Sequence, residues 1–154
     1  LMNPVFADYM QAYGAGGVRA SGFGAESLAN LTRLYWYTVE FGLIATPEGL
    51  RIYGAGILSS KGESIHCLES PAPNRIGFDL KRVMQTRYRI DTYQKTYFVI
   101  DSFDQLFKAT VDPDFAPIYD QMRGAEPIPA GAVLASDRVF QRGSGEGWLA
   151  DGDV

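Results

Sequence analysis

Between Leu34 and Ile44 the chain reads LYWYTVEFGLI, an apolar run broken by a single charge, Glu40. A segment that is apolar on every face of a helix belongs inside a protein, packed on several sides. A carboxylate placed there is costly unless it is paired, hydrogen-bonded or bound to a metal. Two readings of Glu40 stay open on these residues. Either it closes a helix and pairs with an arginine such as Arg33 or Arg51, or it is a functional carboxylate.

Around this run the pattern predicts an α+β protein, mainly helical. Asn3 to Tyr13 reads as a helix with Asn3 as cap, Pro4 in the first turn and a stripe of Val5, Phe6, Tyr9, Met10 and Tyr13, ended by the glycines from Gly14. The central helix is predicted over Ala25–Leu43, with Leu28, Leu31, Leu34, Tyr35 and Val39 at helical spacing. Arg51–Gly54 is read as extended. Ser60-x-x-Glu63 and Ser102-x-x-Gln105 match capping boxes, and Asp79 is placed to cap a helix bearing Leu80, Val83 and Met84. Tyr88–Asp91 and Tyr97–Ile100 are predicted as paired strands. Apolar periodicity fades after residue 123, so residues 1–123 are expected to form the folded unit and 124–154 a Gly/Pro-rich, loosely packed tail.

Several function classes are disfavoured. The net charge is −4, which does not suit a polynucleotide or an anionic membrane surface. No apolar run approaches the roughly 18 residues of a membrane span, and a cytoplasmic location is expected. Cys67 is the only cysteine and His66 the only histidine, so neither a disulfide, a cysteine zinc site nor a catalytic triad can be built within the chain. Gly54-Ala55-Gly56 begins like a dinucleotide fingerprint, but Ser59 stands where the third glycine would be. Asp112, Asp114, Asp151 and Asp153 are expected to be solvated acids rather than calcium ligands.

Three stretches carry a resemblance. LYWYTVEFGL (Leu34–Leu43) resembles the helix bearing the carboxylate ligand of the aromatic amino acid hydroxylases, and YGAGILSS (Tyr53–Ser60) resembles the segment that follows it. TRYRIDTYQKTYFVIDSFDQLF (Thr86–Phe107) is similar to the bacterial phenylalanine hydroxylases in particular. The likeness covers about Leu1 to Phe115 and implies the C-terminal portion of that catalytic fold. It implies Fe(II) held by two histidines and a carboxylate, with tetrahydrobiopterin or a related tetrahydropterin, dioxygen and L-phenylalanine as partners.

By the same resemblance Glu40 is the metal ligand, and Tyr35 lies near iron and pterin. Trp36 faces the substrate ring, Ser59 and Glu63 belong to the amino acid site, and Thr32 stands where many members place an alanine against the pterin. Ile90, apolar where tyrosine hydroxylases carry an acid, implies phenylalanine as substrate. The family's His-x-x-x-x-His motif is expected just before Leu1-Met2-Asn3-Pro4. The chain alone is therefore expected to be inactive, the alternative being a non-catalytic homologue or interaction module. By the same resemblance, a tail lacking the heptad-bearing helix through which animal members tetramerise implies a monomer.

Overall fold

The computed structural model describes Gly17 and residues 22–154 apart from Asp112; the helix expected over Asn3–Tyr13 lies outside these residues. The architecture is α+β. The central helix α1 spans Ala25–Tyr35 and passes directly into a π-helical turn, Trp36–Glu40. Helix is thus lost three residues before the predicted end at Leu43. Leu43–Thr46 is strand β1, paired antiparallel with β2 (Gly49–Ile52) across the turn at Pro47 and Glu48. Sheet pairing overrides the helical preference of this apolar run.

Two helices follow, the single-turn α2 (Ala55–Leu58) and α3 (Lys61–Glu69), then strand β3 (Asn74–Gly77) and helix α4 (Leu80–Met84). Strand β4 (Thr96–Ile100) and helices α5 (Phe103–Thr110) and α6 (Ala116–Met122) lead to a last strand, β5 (Val139–Gln141). The sheet order is β2-β1-β4-β3-β5, with β4 parallel to both its neighbours and antiparallel pairs at the two edges. All five residues of β4 are buried, as a central strand covered on both faces requires. Phe98 packs with Leu31, Leu34 and Tyr37 of α1 and its extension, whereas Tyr97 and Val99 face Ile57 and Cys67 of α2 and α3. The π-helical turn is therefore pressed against the sheet on the α1 side.

The capping predictions hold in part. Ser60, Asp79 and Ser102 each accept the N–H three residues on, from Glu63, Arg82 and Gln105. The reciprocal half of each box is absent. Glu63 turns inward instead, and Gln105 Oε1 accepts from Asp101 N, one residue before the cap.

Two expectations are corrected. Tyr88–Asp91 is not a strand; β4 takes β3 and β1 as partners, and residues 87–95 form an irregular loop. Residues 124–154, expected to pack loosely, are tied down at several points. β5 extends the sheet, Ile128 exchanges backbone hydrogen bonds with Gln85 and Arg87, and Val154 does so with Tyr88. These ties run through the backbone and a few buried side chains, so they leave no apolar periodicity. Asp153 is likewise no solvated acid, for it pairs with Arg89 and Lys95.

Candidate active site

A π-helical turn is rare, and in proteins it is found disproportionately at functional sites. Here Phe41 N donates to Trp36 O at 2.9 Å, a five-residue ring in place of the usual four. The wider turn brings side chains five apart within reach of each other. Tyr35 OH donates to Glu40 Oε1 at 3.1 Å. Burial, then the bond to Glu40, holds the Tyr35 phenol above its ordinary value, so at neutral pH it stays a donor.

Glu40 is half-buried, and among the described residues no lysine or arginine pairs with it. The pairing with Arg33 or Arg51 that the sequence left open is not formed. Close packing defines its other side. A Cβ added at Gly56 would sit 2.8 Å from Glu40 Oε2 and 3.0 Å from Phe41 Cζ, and one at Gly54 would strike the Glu40 backbone. The glycines of Gly54-Ala55-Gly56 thus serve to let α2 approach the carboxylate.

Trp36 is partly buried and flanked by two rings. Tyr88 stacks on it with centroids 4.5 Å apart and planes at 19°, and Phe41 lies at 4.8 Å. Its indole N–H is buried with no hydrogen-bond partner among the described residues. Ser59, at the end of α2, is exposed and donates to Gly56 O at 3.0 Å. Thr32, one turn before Tyr35 and Trp36, is also exposed, its hydroxyl donating back to Leu28 O.

The remaining candidates are held apart from this group. Glu63 is 5% exposed and accepts from Tyr97 OH at 2.5 Å and Gln94 N at 3.2 Å. Burial raises its carboxyl above the usual range, and these two donors oppose the rise. Ile90 is 63% exposed on the 87–95 loop. His66 packs against Tyr93 at 4.7 Å, and burial lowers its basicity. The Cys67 thiol is buried and pushed up to about 12, which leaves it unreactive. Among the described residues no three His, Cys, Asp or Glu side chains cluster to hold a metal.

Sequence reasoning missed Tyr88 and Phe41, the rings that flank Trp36. Reading Tyr88 as a strand residue hid the first, and the Trp36/Phe41 spacing of five becomes a contact only in a π-helical turn.

Residues 1–119 match the family model described as biopterin-dependent aromatic amino acid hydroxylase. The chain belongs to that family. Phenylalanine-4-hydroxylase of Chromobacterium violaceum is 66% identical over all 154 residues, and that of Ralstonia nicotianae 62%. The chain spans about half the length of these relatives, 51% and 48%. A crystal structure of the Chromobacterium violaceum phenylalanine hydroxylase with iron and phenylalanine bound superposes with a TM-score of 0.86 at 68% identity, over 90% of this chain and 50% of that one. In this hydroxylase fold no described helix is long and apolar enough to cross a membrane.

Proposed function

We propose that this chain forms the half of a phenylalanine 4-hydroxylase that supplies the carboxylate ligand of the iron and the aromatic wall of the substrate site. The observation that carries the reading is Glu40. It is a half-buried carboxylate within an apolar run, held by a neutral tyrosine and matched by no described cation. Such an oxygen pair suits a divalent metal, and the Tyr35 bond would orient it as hydrogen-bond donors commonly orient metal ligands.

The fit to Fe(II) is one ligand deep. The chain has a single histidine, wedged beside Tyr93 and Tyr97, so the two imidazoles of a facial triad have to come from other sequence. Iron with tetrahydropterin would supply the oxidising chemistry, one atom of dioxygen going to the ring to give tyrosine and the other to the pterin.

The chain's own residues would bind and orient. Glu40 holds the metal and Tyr35 fixes Glu40, with its hydroxyl able to meet ordered water. Trp36 offers the phenylalanine ring a large rigid surface, pinned by Tyr88 and Phe41. Ser59 borders the amino acid site, and Glu63 braces α3 against β4 behind it. Ile90 keeps the substrate loop apolar, and Thr32 lines the pterin side. With this reading go a monomeric state and a cytoplasmic address.

Phenylalanine-dependent tyrosine formation, assayed with tetrahydropterin and Fe(II), tests the proposal. The chain joined to the further sequence its relatives carry is expected to be active and the 154 residues alone inactive; no turnover by the longer protein would overturn the reading. Trp36→Ala should raise KM for phenylalanine about tenfold, the worth of one aromatic stack with its buried area. An unchanged KM would remove Trp36 from the site.

A further inference from the structure

Tyr88 is the ring stacked on Trp36, yet its own segment has no strand partner to fix it. Arg87 before it is held by Ile128 and the Tyr37 hydroxyl, and Tyr88 itself is bonded from the far end of the sequence. Val154 N donates to Tyr88 O at 2.8 Å and Tyr88 N to Val154 O at 3.1 Å, a reciprocal pair. Next along, the Arg89 side chain is 1% exposed. It donates to the Asp151 carbonyl, to Asp153 Oδ1 at 3.3 Å and to Asp91 Oδ1 at 3.0 Å.

Asp153 is the hub of this contact. Its Oδ1 also meets Lys95 Nζ at 3.0 Å, and its Oδ2 accepts from Ala130 N at 3.1 Å. Asp153 is thus the carboxylate that two buried cations share, Asp91 meeting only Arg89, and those cations would face each other without it. Gly152 sits between these anchors at φ +105°, where a Cβ would lie 2.8 Å from the Arg89 guanidinium. The strap lies flat on Arg89 and has room for nothing larger.

The loop is braced from its other side by Gln94. Its amide donates to Arg89 O at 2.7 Å and accepts from Arg89 N at 3.1 Å, while its own N–H reaches Glu63 on α3. With Gln94 on one side, and Arg87 tied to Ile128 and Tyr37 before it, residues 151–154 are the restraint that acts on Tyr88 and Arg89 directly. They lie beyond residues 1–119, the part that matches the family model.

We propose that Asp153 is a positioning residue, which through Arg89 and the Val154–Tyr88 pair sets Tyr88 against Trp36 and so shapes the pocket wall that meets the phenylalanine ring. Only the substrate side of this inference rests on the hydroxylase reading. Asp153→Asn, Asp153→Glu and Gly152→Ala, each made in the chain extended to its relatives' length, test it by steady-state kinetics and by amide exchange.

Asp153→Asn should raise KM for phenylalanine about tenfold while kcat and the KM for tetrahydropterin move less than about twofold. Asp153→Glu should recover most of the loss. Exchange at residues 86–93 should quicken about tenfold or more, with β4 unchanged. Gly152→Ala keeps the carboxylate but lifts the strap, and should give the same pattern even if Asp153→Asn fails to fold. Unchanged phenylalanine KM, or losses spread equally over kcat, both KM values and β4 exchange, would overturn the proposal. If the unaltered protein has no hydroxylase activity, the functional reading fails, and exchange still decides the strap: quickening confined to 86–93 upholds it, and no change overturns it.

Discussion

Arg82 and Glu40 are both charges set into apolar surroundings, and the fold treats them oppositely. Arg82 reaches Asp137 with two nitrogens at 3.0 and 3.2 Å, Thr86 Oγ1 at 2.6 Å and Ala132 O at 2.8 Å, and lies over the Phe98 ring. Its charge is neutralised and every donor nitrogen is used. Glu40 has one neutral partner among the described residues, Tyr35, and a wall of glycine-lined backbone. A charge that serves the fold is compensated within the fold. A charge left without a cation among the described residues, on a π-helical turn, is the one the proposed function assigns to a metal.

The contrast can be broken first at its structural end. Asp137→Ala would strand the Arg82 guanidinium in a buried site, and should cost about 3–5 kcal/mol in urea unfolding of the extended protein. A loss below about 1 kcal/mol would show that Arg82 is not the structural charge described.

Glu63 sharpens the comparison because it is buried and paired with no described cation, yet its Oε1 accepts two hydrogen bonds. Glu63→Ala leaves the Tyr97 hydroxyl without its acceptor and should cost about 1–3 kcal/mol. The folded state raises the Glu63 carboxyl, so it favours the protonated form. That contribution is full at pH values below the ordinary glutamate range and is lost as pH rises through the raised value. Glu63→Gln should flatten the pH dependence of stability over that window; an unaltered profile would mean that Glu63 does not titrate there.

Tyr35→Phe is the smallest change. It removes one hydrogen bond from a half-buried carboxylate and should alter stability by about 1 kcal/mol or less. Iron affinity should nevertheless fall about tenfold or more, as for other groups that orient a metal ligand. Equal iron affinity would leave Tyr35 as a packing residue.

Much of this contrast was legible in the sequence, because Glu40 is conspicuous within LYWYTVEFGLI and three helix starts carry a Ser or Asp at the cap. What escaped was non-local. Asn74–Gly77 follows two prolines and begins with a turn-forming asparagine, so its role as a parallel neighbour of β4 has no local signal. Tyr88–Asp91 has strand-like residues but spends its hydrogen bonds on Val154, Gln94 and the strap. The π-helical turn, which unites Tyr35 with Glu40, is set by the start of β1 at Leu43 and by the approach of Gly54 and Gly56, neither visible in the helix itself.

The most direct test of the account is iron content by elemental analysis, comparing the extended protein with its Glu40→Gln variant. The carboxamide can keep the Tyr35 hydrogen bond while losing the charge, and stability should change by about 1 kcal/mol or less. The account predicts close to one iron per chain, of the order of a one-to-one site, in the unaltered protein and loss of nearly all of it in the variant. Iron retained at the same level by a folded Glu40→Gln protein would contradict it.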